Sequence, residues 1–250
     1  MGWREVLERC RGRIVDVHAH VGRDQRFMLD GSEAALLRAM DRYGIRMAWV
    51  SAISSLTTDF RDGNREVAAL LSKHPERFRG LVAVNPNFGE EALEELRKRA
   101  REGFSGVKLH PEYFRIRMTH SFTVRVLEEA ARLRLPVMIH SYDGGVEVER
   151  LADLFPELTI VMYHMGGVRW REGVERAAHL GNVYLEISSS VTEIDMVGEA
   201  VRRVGADRVL FGSDMPYLEP AVSLGKVLGA KIGEEEMEAI LYRNAEAVLG

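Results

Sequence analysis

Short apolar, β-branched runs alternate with charged segments of helical period from one end of the chain to the other. The apolar runs predict strands over 13–21, 47–53, 78–86, 106–110, 136–141, 159–164, 183–188 and 208–214. Between them, apolar positions recurring every three to four residues predict helices over 32–43, 64–74, 90–101, 122–134, 147–154, 171–179 and 193–204. An amphipathic stretch opens the chain at 2–9, and a last helical region runs from 219 to 249 with a break near 229–233. Gly44, Gly103, Gly181 and Gly205 stand where helices should stop, and Ser32 and Asn64 where N-caps belong. Gly144-Gly145 and Gly166-Gly167 read as tight turns leaving strands.

Strand-helix units repeated at this spacing imply a parallel sheet with right-handed crossovers. Eight such units in 250 residues match an α/β fold of the (β/α)8 TIM-barrel kind, a single domain over 1–250. The competing doubly wound open sheet would carry a glycine-rich phosphate turn after an early strand, and none is present.

Composition narrows the class of function. A hydrophobic fraction of 46% with 29% charged residues describes an ordinary globular chain, and no apolar run is long enough for a membrane span. A net charge of −4 gives no electrostatic reason to expect nucleic acid or an anionic membrane as partner. Cys10 is the only cysteine, so no intrachain disulfide can form, and the N-terminal stretch lacks the apolar core of a signal peptide. The expectation is a cytoplasmic, soluble protein, with homo-oligomer formation left open.

The candidate chemistry gathers at strand ends. The first strand carries Asp16-Val17-His18-Ala19-His20. Alternation along a strand puts His18 and His20 on one face with Asp16 below them, half of a site for a divalent transition metal. Eight histidines in 250 residues yield about a quarter of a His-x-His pair by chance, so the doublet alone decides nothing. Later strands end in Lys108-Leu109-His110, Met138-Ile139-His140, Met162-Tyr163-His164 and Gly212-Ser213-Asp214. Taken singly, a strand-end histidine is more often a satisfied structural group than a ligand. Five histidines and an aspartate at C-terminal strand tips, the face where barrel active sites form, favour a metal site. Parity supports this: Leu210, Gly212 and Asp214 share a face, with Gly212 leaving room beneath the carboxylate. Ile160, Met162 and His164 likewise share a face, with Val161 and Tyr163 turned to the helix layer.

The segments DVHAH, GVKLHP, MIHS, MYHMGG, LFGSDMP and the closing YRNAEAVLG together resemble the amidohydrolase superfamily. The resemblance is to its amidohydrolase-related branch, metallo-dependent TIM barrels that include small metal-dependent hydrolases and the carboxymuconate-semialdehyde and resorcylate-type decarboxylases. It implies His18, His20, His140 and Asp214 as metal ligands, with His164 as a catalytic or supporting histidine that polarises the substrate. Lys108 is either a carbamylated bridge between two metals or a group facing substrate, and His110 lies one step further out towards substrate. A plainer reading pairs Lys108 with Asp16 or Glu186 across the barrel, and a single zinc ion is the expectation.

The implied reaction is hydrolysis of a small amide, ester or lactone by metal-activated water, with Asp214 moving the proton and His164 stabilising the oxyanion. The alternative on the same scaffold is a lyase, a non-oxidative decarboxylase or hydratase. A metal protein serving only binding or assembly is a third reading. For substrate contact the loops offer Arg23, Tyr113, Tyr142, Arg169 and Trp170, with Arg26, Phe114, Arg115 and Arg117 nearby. Guanidinium beside aromatic rings suits a carboxylated or aromatic small molecule.

Overall fold

The computed structural model describes residues 3–249. Gly2, which opens the expected N-terminal helix, and Gly250, which closes the last motif, lie outside the described residues. Nine strands form one sheet: β1 (Ile14–Asp24), β2 (Leu29–Gly31), β3 (Ile45–Ala52), β4 (Phe78–Ala83), β5 (Gly106–Leu109), β6 (Val137–His140), β7 (Ile160–Tyr163), β8 (Val183–Glu186) and β9 (Val209–Leu210). They lie in the order β2-β1-β3-β4-β5-β6-β7-β8-β9, all parallel except the short β2, which folds back on β1 as a hairpin. Eight of the nine are the strands that the apolar runs predict; β2 is an addition.

The chain beyond β9 closes the barrel against β1. Val17 N–H donates to Phe211 O at 3.0 Å, Asp214 N–H to His18 O at 2.8 Å and His20 N–H to Met215 O at 2.8 Å. This is a TIM barrel, so the C-terminal tips of β1 and of the last strand segment meet at one mouth.

The helices are α1 (Trp3–Cys10), α2 (Glu33–Tyr43), α3 (Ile53–Thr57), α4 (Phe60–Lys73), α5 (Glu90–Arg101), α6 (Pro111–Phe114), α7 (Ser121–Arg132), α8 (Val146–Leu154), α9 (Trp170–Ala178), α10 (Met196–Val204), α11 (Pro220–Leu228), α12 (Glu234–Glu238) and α13 (Asn244–Leu249). No helix among the described residues is long and apolar enough to cross a membrane. Their buried faces cover both-sides-buried strands, as parallel sheets require. The predicted start of α4 needs correction. Asp59 is its N-cap, accepting from Arg61 N–H at 2.8 Å, and Asn64 lies one turn inside. Asn64 is fully buried and clamps β4, donating to Ala83 O at 2.9 Å and accepting from Ala83 N–H at 3.1 Å. An unpaired backbone pair at that depth would cost more than the helix loses by housing an asparagine.

Candidate metal centre and active site

The register of β1 against β3 slips between Asp16 and Ala19, which pair with Ala48 and Val50. Three steps on β1 therefore match two on β3, a bulge that re-aims the side chains beyond it. Asp16 precedes this bulge and is fully buried. It turns to the last strand segment, where its carboxylate accepts from Ser213 N–H at 3.0 Å, Ser213 Oγ–H at 2.5 Å and His18 N–H at 3.0 Å. Burial pushes this carboxyl up to about 7, against the pull of those donors.

Past the bulge, His18 Nε2 and His20 Nε2 lie 3.1 Å apart, and Asp214 Oδ1 lies 3.2 Å from each. Asp214 reaches this position from a left-handed backbone step, φ +62. The far nitrogens of both rings are occupied: His18 Nδ1–H donates to Glu186 Oε2 at 3.0 Å, and His20 Nδ1 pairs with Ser51 Oγ at 3.0 Å. When Glu186 is ionised it can only accept, and His18 then carries its proton on Nδ1 and directs the Nε2 lone pair inward. Burial holds His18 well below the ordinary imidazole value and lowers His20, so both are neutral. Burial raises the Asp214 carboxyl, but the His20 contact and the neighbouring charges outweigh it and leave it below the usual range.

Three acceptor atoms therefore face one another. A cation with ~2.1 Å bonds spans ligand pairs of about 3.0 Å in an octahedron and about 3.4 Å in a tetrahedron. The triangle of 3.1–3.2 Å falls between these values, so the residues fit a small divalent metal.

Lys108 Nζ lies 3.2 Å from His18 Nε2 and 3.9 Å from the centroid of the Tyr163 ring. It pairs with neither Asp16 nor Glu186, which corrects the simpler expectation: those carboxylates are already occupied by the Ser213 turn and by His18. Burial brings Lys108 down to about 7, while Asp214, Glu186 and Glu112 work to raise it. Burial likewise pushes Glu186 up to about 8, opposed by the Ser188 backbone and hydroxyl and by His164 N–H.

His164 stands at φ +65, directly after β7. Its Nδ1–H donates to Ser188 O at 2.8 Å and its Nε2 lies 3.0 Å from His140 Nδ1. His18, His164 and Asp214 place ligand atoms within 4.8 Å of one another, while His140 belongs with His110 and Glu112 in a second such group. The structure thus brings His18, His20, Asp214, Lys108 and His164 together, with His140 joined to them through His164. Burial lowers His164 to about 4 and holds His140 well below its ordinary value. His140 is also the centre of a stack of near-parallel rings: Tyr113 on His110 at 4.0 Å, His110 on His140 at 3.8 Å and His140 on Tyr142 at 5.2 Å between centroids.

Strand parity at β7 is the reverse of the expectation. Tyr163 points into the barrel, stacking on His18 at 3.7 Å and donating its hydroxyl to Val17 O at 2.5 Å, while Met162 faces Gly145 at the start of α8. His164 still reaches the mouth because its left-handed step reverses the alternation. The space at Gly212 also serves a different neighbour: a Cβ there would lie 2.7 Å from Glu186 Cδ. Tyr163, Ser188 and Ser51 are the contributors that strand-tip reasoning missed, while Glu186, expected against Lys108, meets His18 instead. Glu186 was visible as a carboxylate ending an otherwise apolar strand, whereas the two serines and the tyrosine carry no such signal.

Of the loop residues, Tyr113 and Tyr142 flank the ring stack, and Arg26 donates to Tyr113 Oη at 3.1 Å while held by Asp24 at 2.6 Å. Arg23 does not reach the mouth; its side chain is 75% exposed and pairs with Asp30 on the hairpin. Arg169 is drawn to Glu172 at 2.5 Å on its own helix end. Trp170 is a core residue, 1% exposed, whose indole N–H donates to Glu193. An amphipathic ring at a helix start reads the same in sequence whether it packs inward or faces a ligand.

The amidohydrolase family model matches residues 15–250, and the chain belongs to this family of enzymes. A search of curated proteins returns no match. Solved structures of similar fold include 2,6-dihydroxybenzoate decarboxylase from Rhizobium, at 19% identity and TM-score 0.75 over 95% of this chain and 98% of that one. A dihydroxybenzoic acid decarboxylase from Polaromonas sp. JS666, solved with bound manganese and 2-nitroresorcinol, shares 21% identity at TM-score 0.76 over 95% and 96%. A protein from Acinetobacter baumannii, named for 2-pyrone-4,6-dicarboxylic acid hydrolysis and solved with citric acid, shares 16% identity at TM-score 0.74 over 95% and 99%.

Proposed function

We propose that this chain is a metal-dependent enzyme acting on a small planar carboxylate, and that its reaction is non-oxidative decarboxylation. The observation that carries this reading is Lys108. Its Nζ is buried at the edge of the metal triangle, with no carboxylate within ion-pair distance among the described residues. A buried cation next to a metal site costs free energy unless an anion arrives to pair with it. The flat wall of Tyr113, His110, His140 and Tyr142 suits an aromatic ring beside that anion. The decarboxylases of similar fold support the same choice.

His18, His20 and Asp214 would hold the metal, with His164 or His140 completing the set. A divalent ion bound there would supply Lewis-acid stabilisation of negative charge on the substrate. Zinc and manganese both suit imidazole and carboxylate donors. Lys108 then holds the substrate anion, and Tyr163 beneath it keeps water from the ammonium. Loss of carbon dioxide leaves a carbon that must gain one proton, and Asp214, 17% exposed at the mouth, exchanges protons between solvent and that carbon.

Hydrolysis is the second reading, favoured by Asp214 itself. Its carboxyl lies below the usual range, so it is ionised at neutral pH and suited to take a proton from attacking water. The test uses protein loaded separately with zinc and with manganese, given dihydroxybenzoates in one series and carboxylated lactones in another. Carbon dioxide released in step with substrate loss, and abolished by chelation, is the expected result. Lactone opening without carbon dioxide would replace the first reading by the second, and no metal-dependent turnover in either series would defeat both.

A further inference from the structure

β8 ends at Glu186, and the chain leaves the sheet through Ile187, Ser188 and Ser189, all three buried. A backbone that leaves a sheet inside the core must find new partners for its carbonyls. Ser188 O accepts from His164 Nδ1–H at 2.8 Å. Ile187 O and Ser189 O both accept from one group, Lys226 Nζ, at 3.1 and 2.7 Å. Successive peptide units of an extended chain turn their carbonyls to alternate sides. A single donor that takes the first and third carbonyls therefore sets the direction of the second, and the second is the one that holds His164.

Lys226 lies on α11, which starts six residues after Asp214. A lysine on an outer helix ordinarily carries its ammonium into water. This side chain instead turns inward, and burial lowers its ammonium to about 8, with the charge of Glu186 opposing. Both of its partners are uncharged carbonyls, and neither belongs to its own helix. Between those two pinned peptides, Ser188 serves two histidines at once. Its hydroxyl donates to Glu186 Oε2 at 2.8 Å and lies 3.1 Å from His18 Nδ1, while its carbonyl takes the His164 proton. A displacement of residues 187–189 is thus felt at His18 and His164 together.

We propose that Lys226 is a positioning residue of the metal centre, acting through the Ile187 and Ser189 carbonyls on either side of Ser188. Its ammonium presents the Ser188 carbonyl to His164 and the Ser188 hydroxyl to the Glu186–His18 pair. The same contact ties the exit of β8 to the helix that follows Asp214, so the supports of His18 and the segment carrying Asp214 are held to one element. Groups that orient a ligand from behind set both its tautomer and its direction. The inference rests on the reading of the triangle as a metal site.

Two readouts on the whole chain test it. In metal-free protein isotopically labelled at its histidines, His164 Nδ1–H should give a slowly exchanging downfield proton signal, assigned by its absence in His164→Gln. Competition with a chelator reads zinc affinity. Lys226→Met keeps the stem and removes the donor. It should strip that signal of its protection from exchange and lower zinc affinity about tenfold, the low end for a group acting behind a ligand. Lys226→Arg, whose fork can reach both carbonyls, should recover most of both. Leu224→Ala removes buried packing from the same helix and should lower Tm while leaving both readouts as in the wild type. Where Lys226→Met does not fold, Lys226→Gln, with a donor at shorter reach, should show the same two losses in smaller measure. In the variant that folds, an unchanged histidine signal or an unchanged zinc affinity would overturn the proposal. So would equal losses in Lys226→Arg or in Leu224→Ala. Absence of zinc binding from the wild type would defeat the metal reading instead, and the histidine signal would then decide whether Lys226 holds His164.

Discussion

Replacing Gly212 with alanine should damage the metal centre from behind. A Cβ at this position would lie 2.7 Å from Glu186 Cδ and 2.8 Å from Cγ, where carbon atoms need about 3.5 Å. Glu186 is fully buried and cannot swing into solvent. A retreat of ~0.7 Å would stretch its 3.0 Å bond to His18 Nδ1 beyond hydrogen-bonding range. Overpacking costs about 1–3 kcal/mol and the lost charged hydrogen bond about 1.5–3 kcal/mol. For a chain of this length the sum lowers Tm by roughly 5–20 °C. With His18 no longer oriented, metal affinity should fall about 10–100-fold. Thermal unfolding of the metal-free protein reads the first effect, and competition with a chelator of known affinity reads the second. The decisive comparison repeats Gly212→Ala in a Glu186→Ala background, where the clash is gone and the added step should cost little. An equal cost with and without Glu186, or a wild-type metal affinity in Gly212→Ala, would refute the chain of reasoning from glycine to carboxylate to ligand.

Lys108→Met should stabilise the metal-free protein, on the order of 1–3 kcal/mol near pH 6. The folded lysine titrates at about 7 against an ordinary 10.5, so between those values only the unfolded chain keeps the proton and wild-type stability rises with pH. The advantage of the variant should therefore shrink from pH 7 towards 10, as denaturant unfolding of both proteins at several pH values would show; an advantage that widens with pH contradicts the assignment. Asp214→Asn should lower kcat at least about 100-fold even at saturating metal, because the amide neither accepts nor returns a proton. Near wild-type kcat in that variant would remove Asp214 from proton transfer.

Much of this architecture is legible in the chain. Barrel strands are short apolar runs, and polar residues at their C-terminal ends stand out because nothing else in such a strand is polar. That logic finds His18, His20, Lys108, His140, His164 and Asp214. It cannot settle which way a strand faces. Both faces of a parallel barrel strand are buried, so Ile160-Val161-Met162-Tyr163 shows no alternation from which to choose. Tyr163 was consequently expected among the helices, although it lies under His18. Pairing between distant strands is equally silent: Glu186 meets His18 across 168 residues, and its sequence neighbours do not separate that partner from Lys108.

The backbone shows where local rules were broken to build the centre. His164 and Asp214 are both non-glycine residues with positive φ, at +65 and +62. Such a conformation costs of order 1–3 kcal/mol and persists only where surrounding contacts hold it. Those contacts are present: His164 N–H reaches Glu186 Oε2 at 3.3 Å and its ring reaches Ser188 O, while Asp214 N–H is held by His18 O. The strain has a geometric purpose in each case. A strand that continued regularly past Tyr163 would send residue 164 to the helix layer. The left-handed step turns it back to the mouth, where its ring joins those of His18 and His140. At Asp214, four residues beyond β9, the same step sets the carboxylate against both Nε2 atoms at once. Ser188 and Glu186, which lie on one strand exit, support His18 and His164 together, so the orientation of the metal triangle and the position of the adjoining histidine are coupled through a single pair of residues.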